Sequence, residues 1–332
     1  MYLCSRFKTV MIQEIRKPIE PYFEQYRMAL ENAMNSDVPA LQHVTKHLKE
    51  SSGKQIRPIL VLLSAALCGK VSEYSISSAV SLELLHTASL IHDDVVDDAL
   101  ERRSQASVKA LWNNKIAILS GDFYLAKVLD IISSIPFPSI IKSVGSLGAS
   151  LASGEIQQLS HSKDFSATED VYYQIIKNKT ASLFATCTYA GAISSGADAS
   201  LAEKLRLFGE YLGIAFQMKD DIFDYFENNT LGKPIGNDLS EGKLTLPLIH
   251  ALSLDTADAL HYRSLLSSAK TLSIQQVAEI YQFAKDNGGI EYALEAANHY
   301  RELAIAQLDS FDDNEYKTSM IALLEYCINR NY

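Results

Sequence analysis

The chain has 332 residues, of which 47% are hydrophobic and 21% charged. This composition excludes a disordered tail, a collagen and a small disulfide-stabilised scaffold. Forty acidic residues against 30 basic ones give a formal net charge of −10. Because so acidic a chain repels nucleic acid unless its basic residues are clustered, we expect no nucleic-acid partner.

The cysteines and the N-terminal region bear on the cellular compartment. Four scattered cysteines without a CxxC pair favour a reducing compartment over a disulfide framework. The longest apolar run, residues 59–68, is about half of the ~20 residues that a membrane-spanning helix needs. We therefore expect a cytoplasmic protein with no membrane span and no signal peptide. Residues 1–10 are expected to be an upstream extension, and residues 11–332 a single domain.

Hydrophobic residues recur at helical spacing along nearly the whole chain, and in residues 84–95 and 212–223 they fall on one helix face. Segments 59–67 and 181–192 are apolar on nearly every side, which predicts helices in the middle of a bundle. Glycine, proline or serine interrupts the pattern near residue 39 and at residues 51–53, 136–138, 232–234 and 287–289. The sequence therefore predicts an all-α fold with ten or more helices.

The first polar feature in chain order is Gly53-Lys54-Gln55-Ile56-Arg57-Pro58, at a predicted helix start where proline is tolerated. Lys54 and Arg57 lie one turn apart and could bind phosphate oxygens as a point charge and a planar fork. The glycine spacing is not that of a Walker loop. A single lysine or arginine is more often a solvated surface charge, so this feature is weak alone.

The next predicted helix ends in the acidic sequence His92-Asp93-Asp94-Val95-Val96-Asp97-Asp98. Asp93 and Asp97 lie one turn apart on one helix face, and Asp94 is similarly placed relative to Asp97 and Asp98. Each like-charge pair costs ~0.2–0.5 kcal/mol on an isolated helix, and the helix dipole disfavours negative charge at this end. One such cluster fits a solvated helix end as well as a functional site.

The same pattern recurs as Asp220-Asp221-Ile222-Phe223-Asp224, again after an apolar helical run. Two copies of Asp-Asp-x-x-Asp make a merely solvated role a small minority explanation. Carboxylates without histidine or cysteine partners suit a hard cation, and Mg²⁺ usually shares its coordination with substrate phosphates. We therefore predict a magnesium–diphosphate site between two facing helices, and not a zinc site.

Basic and polar residues accompany both clusters. His86 lies two helical turns before the first cluster, on the same face, although a lone helical histidine is more often a core residue. A loop with three glycines and two lysines follows the second cluster, at residues 232–243, and could close over a diphosphate. The other candidates are Arg102, Arg103, Lys179, Thr180, Gln217, Lys233 and Lys243.

Together these residues resemble the trans (all-E) polyprenyl diphosphate synthase family, in particular the long-chain members that make quinone side chains. The resemblance covers roughly residues 20–330. The matching stretches are GKQIRP at 53–58, LLHTASLIHDDVVDD at 84–98, RR at 102–103, GDF at 121–123, KT at 179–180, FQMKDDIFDY at 216–225 and LGKPIGNDLSEGKLTLPLIHAL at 231–252.

The resemblance implies an isoprenoid-synthase-type bundle of helices around a deep central cavity, normally in a homodimer. It also implies repeated 1′-4 condensation of isopentenyl diphosphate onto an allylic diphosphate, farnesyl or geranylgeranyl diphosphate. The cofactor would be Mg²⁺, expected as three ions with the bound diphosphate. A peripheral membrane contact is expected during release of the product.

The resemblance also assigns roles to individual residues. The implied Mg²⁺ ligands are Asp93, Asp94, Asp97, Asp220, Asp221 and Asp224. The implied contacts of the allylic diphosphate are Arg102, Lys179, Lys233 and Lys243. The implied contacts of isopentenyl diphosphate are Lys54, Arg57, His86 and Arg103. Thr180 and Gln217 would place oxygens near the allylic carbon, so the catalytic set is Asp93, Asp94, Asp97, Lys179, Thr180, Gln217 and Asp220.

This chemistry needs no side-chain general base. Ionisation of the carbon–diphosphate bond leaves a carbocation and an anion, and cations stabilise the anion while oxygens and apolar walls protect the carbocation from water. The released pyrophosphate is the expected base for the final proton loss. Two departures from the family pattern are Ser104, where a glycine usually follows the arginine pair, and Asp98, an extra carboxylate with no assigned role.

Product length is expected to depend on the helix that carries the first cluster. Ala88 and Ser89, one turn behind Asp93, are small where short-chain relatives have bulky aromatic residues. A product could then extend past them toward Leu85 and Leu82, gaining ~5.4 Å per helical turn. The hypothesis is a product of seven to ten isoprene units, with octaprenyl favoured.

Three alternatives stay open at this point. A short-chain farnesyl or geranylgeranyl diphosphate synthase would share every motif except the chain-length residues. A terpene cyclase usually lacks the second aspartate motif and the GKxxRP stretch. A non-catalytic subunit of a heteromeric synthase typically loses the aspartates and basic residues that this chain keeps. The sequence leaves the allylic primer and the need for a second subunit open.

Overall fold

The structure is a computed structural model that describes residues 11–51, 53–162, 165–226, 236–269 and 271–329. Residues 11–16 are helical and continue through a 3-10 turn, Lys17–Ile19, into the first long helix. The helices are α1 (Glu20–Met34), α2 (Pro39–Glu50), α3 (Ile56–Cys68), α4 (Glu73–Val96), α5 (Val108–Leu111), α6 (Asn114–Ser133), α7 (Pro138–Ser162), α8 (Glu169–Ile176), α9 (Ser182–Ser194), α10 (Ala199–Phe223), α11 (Asn237–Ser240), α12 (Leu246–Ser253), α13 (Ala257–Ser268), α14 (Ile274–Asp286), α15 (Gly289–Gln307) and α16 (Glu315–Ile328). A π-helical turn, Lys177–Ala181, joins α8 to α9, and a 3-10 turn, Leu308–Ser310, follows α15.

The all-α class and the prediction of ten or more helices are confirmed. Helices α2, α7 and α15 begin at the predicted breaks near residues 39, 138 and 289, because proline and glycine stop the preceding pattern. The break at 232–234 lies outside the described residues, as do residues 1–10. In the part of the chain that the structure describes, no helix is long and apolar enough to cross a membrane.

Helices α3 and α9 form the middle of the bundle, as their all-round apolar sequences predict. Most residues of both helices are buried. The two backbones approach closely at Gly191, where a Cβ atom would lie 2.2 Å from the carbonyl oxygen of Val61. This contact requires a glycine, and it fixes the packing on which α4 and α10 rest.

The hydrophobic core has two parts. The larger one joins α1, α3, α4, α6, α9 and the first half of α10. The smaller one joins α8, the end of α10 and α12 to α15. Helix α10 runs through both parts, so it carries the second acidic cluster to their boundary. The deep central cavity and the single-domain division stay predictions.

A short hairpin follows α4. Strand β1 (Glu101–Arg102) pairs antiparallel with β2 (Gln105–Ala106). The two turn residues, Arg103 and Ser104, have φ angles of 53° and 61°. A two-residue type I′ turn requires positive φ at both positions, which explains why glycine is expected at 104. Ser104 adopts the left-handed conformation nonetheless, and the hairpin keeps its form.

Candidate active site

The first acidic cluster ends α4, and its adjacent carboxylates face different surroundings. Asp93 faces Lys179 and Glu155, and burial raises its pKa to about 6 despite the positive charge of Lys179. Asp94 accepts a hydrogen bond of 2.6 Å from Nε of Arg102, in the direction of the hairpin. Burial raises the pKa of Asp94 too, although Arg102 opposes the shift.

Asp97 and Asp98 follow at the end of the helix. The Asp97 backbone N–H closes the last turn by donating to the Asp93 carbonyl, at 2.8 Å. Asp98 has a positive φ of 52° and forms an ion pair with Lys109, whose side chain is 7% exposed. This pair gives the extra carboxylate a structural role, because it neutralises a lysine that α5 would otherwise bury alone.

The second acidic cluster ends α10, and Asp221 is its buried member. The Tyr172 hydroxyl donates to Oδ2 of Asp221 at 2.6 Å, and Nε2 of Gln217 donates to Oδ1 at 2.8 Å. Burial raises the pKa of Asp221 to about 7, and the charges of Asp220 and Asp224 add to the shift. The two hydrogen bonds oppose the shift without cancelling it, so this carboxylate lacks a compensating cation.

Asp224 is held in a different way. The Tyr281 hydroxyl donates to its Oδ2 at 2.6 Å, and the backbone N–H groups of Asn237 and Asp238 donate to its two oxygens at 3.1 and 3.0 Å. Asp224 thus anchors the start of α11 to the end of α10. Asp220 is exposed on the last turns of α10.

Two lysines lie between the acidic clusters. Lys179, on the π-helical turn, forms an ion pair with Glu155 of α7 and faces Asp93. Lys243 faces Asp97 of the first cluster and Asp238 next to the second cluster. These interactions bring both clusters to one region, as the prediction of two facing helices requires.

A cavity of about 140 Å³ lies at this point. Thr180 donates from Oγ1 to Oε1 of Gln217 at 2.7 Å, which continues the hydrogen-bonded series to Asp221. The predicted site residues that line the cavity are Lys179, Thr180, Gln217, Asp221 and Lys243. The structure therefore brings together five residues that are up to 64 positions apart in the sequence.

A second and larger cavity, of about 450 Å³, lies beside α4 and the hairpin. His86, Arg102 and Arg103 line it, as does Asp94. Nη1 of Arg103 donates to the carbonyl oxygen of Ser51 at 3.0 Å. Burial and the three nearby arginines lower the pKa of His86 well below its usual value, so the imidazole is neutral at pH 7.

The two cations of GKQIRP do not line that cavity. Lys54 lies over the ring of Tyr326, with Nζ 4.9 Å from the centroid. Arg57 lies over the ring of Phe184 at 5.4 Å, and burial lowers its pKa. Arg57 still acts electrostatically on His86, which lines the cavity.

The chain-length residues lie along α4. Leu85 and Ala88 are buried, and Ser89 is half-buried with its hydroxyl donating to the His86 carbonyl at 2.9 Å. None of the three lines either of the two cavities described above. Lys233, the remaining predicted diphosphate contact, lies outside the described residues.

The carboxylates fit Mg²⁺ by their chemistry. No group of three acidic, histidine or cysteine side chains among the described residues is close enough to enclose a metal ion alone. Burial nevertheless raises the pKa values of Asp93 and Asp221, so a cation beside them would stabilise their ionised forms. Mg²⁺ that takes several ligands from phosphates and water needs only such separate carboxylates.

Several functional neighbours escape prediction from the sequence. Asp238 is one: burial and the charges of Asp221 and Asp224 raise its pKa well above the usual value. Asp238 follows the second cluster closely, in the Gly-Asn-Asp stretch at 236–238. This position is the one sequence feature that could have indicated it. Glu155, Tyr172 and Tyr281 carry no local signal, because each contacts the site from another helix.

Comparison with known proteins identifies relatives of this chain. The polyprenyl synthetase family model matches residues 38–284. The chain is 34% identical to octaprenyl diphosphate synthase of Haemophilus influenzae, over 97% of this chain and 98% of that protein.

Two solved structures are similar over nearly the whole fold. One is a polyprenyl synthase from Caulobacter crescentus complexed with calcium and isoprenyl diphosphate, at TM-score 0.89 and 30% identity, covering 96% of this chain and 98% of that one. The other is a geranylgeranyl pyrophosphate synthase from Bacteroides thetaiotaomicron, at TM-score 0.83 and 40% identity, covering 96% and 99%. Because the family model spans most of the chain and the full-length relatives are prenyl diphosphate synthases, this chain belongs to the polyprenyl synthetase family and is a prenyltransferase.

Proposed function

We propose that this prenyltransferase is a long-chain trans-polyprenyl diphosphate synthase. It condenses isopentenyl diphosphate repeatedly, in 1′-4 linkage, onto farnesyl or geranylgeranyl diphosphate, and it requires Mg²⁺. The observation that carries the proposal is the smaller cavity, where Lys179 and Lys243 accompany the hydrogen-bonded series Thr180–Gln217–Asp221. Cations, carboxylates and side-chain oxygens around one cavity suit an allylic diphosphate that must ionise.

The residues around this cavity have different roles when the carbon–diphosphate bond ionises. Bound Mg²⁺ would supply Lewis-acid stabilisation of the departing diphosphate, held by the aspartates of both clusters. Lys179 and Lys243 add fixed positive charge at the same end. The Thr180 hydroxyl donates a hydrogen bond to Oε1 of Gln217, so its oxygen keeps its lone pairs for a positively charged carbon nearby.

The larger cavity suits isopentenyl diphosphate. Arg102 and Arg103 offer planar donors to its phosphates, and neutral His86 offers a hydrogen bond. Asp94 lines this cavity, whereas its neighbour Asp93 faces the smaller one through Lys179. The two substrates would therefore lie on either side of the acidic end of α4.

The proposed product has seven to ten isoprene units, with octaprenyl favoured. The small side chains of Ala88 and Ser89 support this length, as does the octaprenyl diphosphate synthase of Haemophilus influenzae. The competing candidate is a short-chain synthase, which the 40% identity to the geranylgeranyl pyrophosphate synthase from Bacteroides thetaiotaomicron favours. Product size decides between the two.

The proposal includes a homodimer. Helices α6 and α7 expose large apolar side chains, and Leu119 and Leu129 are 62% and 66% exposed. The other exposed members are Ile118, Leu125, Ile141, Ile156 and Leu159. An apolar surface of this extent on two neighbouring helices is typical of a protein interface.

The test is an assay with purified protein, Mg²⁺, labelled isopentenyl diphosphate and farnesyl diphosphate. The dephosphorylated products are sized by chromatography. We expect one dominant long polyprenol that is lost with EDTA and with Asp93→Ala, and retained in Asp312→Ala, a change at an exposed aspartate distant in sequence from the acidic clusters. A cyclic hydrocarbon would support a cyclase instead, and no elongation with any primer would support a subunit that needs a partner.

A further inference from the structure

A group of polar side chains with buried, unpaired atoms lies at the larger cavity and next to it. It consists of Tyr26 of α1, Arg57 of α3 and Glu83 of α4. Within the described residues, the Tyr26 hydroxyl, Nε of Arg57 and Oε2 of Glu83 are all buried without a hydrogen-bond partner. An unpaired buried polar group costs about 1–3 kcal/mol. Three such atoms in one place indicate that a ligand, an ordered water or a change of side-chain position completes the group.

The three side chains interact electrostatically. Burial raises the pKa of Glu83, while the charges of Arg57 and Arg103 lower it. Burial lowers the pKa of Arg57, while the charge of Glu83 raises it and that of Arg103 lowers it further. Glu83 thus attracts two guanidinium groups that repel each other.

Folding alone does not explain a carboxylate at this place. Glu83 lines the same cavity as His86 and Arg103, and it lies one helical turn before His86 and Thr87. A negative charge here opposes the binding of an anion, and a well-packed apolar side chain usually serves stability as well as a buried charge does. The carboxylate is explained if it orients the arginines.

We propose that Glu83 is a positioning residue for isopentenyl diphosphate. Its negative charge keeps the guanidinium of Arg103 at the cavity with N–H groups toward the diphosphate and offsets the repulsion from Arg57, and the Tyr26 hydroxyl is the third polar group beside it. This inference rests on the proposed function of the larger cavity. It assigns to Glu83 no contact with the reacting carbon, and it predicts an effect on one substrate only.

The test varies each substrate separately in steady-state assays of the full chain. Glu83→Gln keeps the shape and removes the charge, so we expect KM for isopentenyl diphosphate to rise about 10- to 100-fold, because Arg103 loses the charge that orients it. We expect kcat and KM for farnesyl diphosphate to change less than about twofold. Glu83→Asp, which keeps the charge, should retain most of the affinity. Glu73→Gln, at the exposed start of the same helix, is the matched control and should match the wild type.

A second variant tests the group as a unit. Tyr26→Phe should raise KM for isopentenyl diphosphate in the wild-type background and add nothing in the Glu83→Gln background, because the hydroxyl acts through the carboxylate. An unchanged KM in Glu83→Gln overturns the inference. So does a rise in both KM values that accompanies a lower unfolding midpoint. If the wild type itself condenses no isopentenyl diphosphate, the proposed function fails; if it does and Glu83→Gln behaves like it, only this inference fails.

Discussion

Asp221 and Asp224 are three residues apart in one cluster, yet the folded chain holds them in different ways. Asp224 accepts two backbone N–H groups and the Tyr281 hydroxyl. Asp221 accepts only side-chain donors and keeps a raised pKa. The sequence predicts both as equivalent acidic residues, because their tyrosine partners, Tyr172 and Tyr281, lie 49 and 57 residues away along the chain.

The raised pKa of Asp221 predicts how the stability of the metal-free protein depends on pH. Its folded-state pKa of about 7 exceeds the unfolded value of about 3.9. Between these values the folded state binds more protons, so this residue costs stability as pH rises from about 4 to 7. Asp221→Asn removes the ionisation, so the variant should gain stability relative to the wild type at pH 8 and lose most of that advantage by pH 5.

The measurement is urea unfolding of both proteins at pH 5 and pH 8, without divalent cations. Asp312→Asn, at an exposed aspartate, should differ from the wild type by the same amount at both values. A pH-independent difference for Asp221→Asn would show that this carboxyl titrates normally in the folded state. Mg²⁺ with pyrophosphate should then stabilise the wild type more at pH 8 than at pH 5, because a bound metal competes with protons.

Hydrophobic periodicity predicts some of the helix boundaries and the buried helices, but not every element. The predicted breaks gave the starts of α2, α7 and α15, and the apolar segments 59–67 and 181–192 predicted the buried pair α3 and α9. The π-helical turn was not predicted, because its sequence, residues 177–181, has no distinctive composition. It results from packing, and it is the element that presents Lys179 and Thr180.

Close helix packing maintains that turn. A Cβ atom at Gly213 of α10 would lie 2.5 Å from the Cα atom of Ala181, so Gly213→Ala must separate α10 from the turn. Overpacking of this kind costs about 1–3 kcal/mol. We expect Gly213→Ala to lower the free energy of unfolding by that amount and to lower kcat, because Thr180 is displaced from Gln217.

Gly145→Ala is the matched control for this prediction. Gly145 lies within α7 and is exposed, and the Cβ atom of an alanine there would have no described neighbour within 4 Å. Alanine should there raise the free energy of unfolding by about 0.5–1 kcal/mol through helix propensity. The free energy of unfolding in denaturant and kcat are measured for both variants. Equal effects of Gly213→Ala and Gly145→Ala would mean that the close approach at Gly213 is unimportant.

The hairpin offers a second test at this scale. Ser104 adopts a φ of 61°, which costs a non-glycine residue roughly 1–2 kcal/mol. Ser104→Gly should therefore raise the free energy of unfolding by about 0.5–1 kcal/mol, after allowance for the larger entropy of glycine in the unfolded chain. Ser104→Val should lower it, because a β-branched side chain fits this conformation poorly. The same unfolding measurement checks both, and the reverse order would contradict the observed turn.

At the scale of the whole molecule, the exposed apolar surface of α6 and α7 predicts self-association. We expect the wild type to have the mass of two chains by light scattering after gel filtration. Leu119→Glu with Leu129→Glu should give the mass of one chain, because buried unpaired carboxylates would oppose the interface. Ile274→Glu, at a 90% exposed position on α14, is the control and should leave the mass unchanged. A wild type with the mass of one chain would rule the homodimer out.

The length of the product tests the path along α4. Ala88 and Ser89 lie one turn behind Asp93, so a phenylalanine at either position should block a chain that grows toward Leu85 and Leu82. We expect Ala88→Phe to shorten the product to farnesyl or geranylgeranyl size. Because Ala88 is fully buried, overpacking could cost about 1–3 kcal/mol. Ser89→Phe, at a half-buried position, should shorten the product at a smaller cost in stability.

Chromatography of the dephosphorylated products gives the chain length, and circular dichroism shows whether each variant is folded. Ala257→Phe, at the exposed start of α13, should leave the length unchanged. A folded Ala88→Phe variant that still makes the long product would mean that the chain grows along another path. A wild type that stops at geranylgeranyl size would show instead that the smallness of Ala88 and Ser89 does not set the length. The limit would then lie deeper, at the level of the buried Leu85 and Leu82.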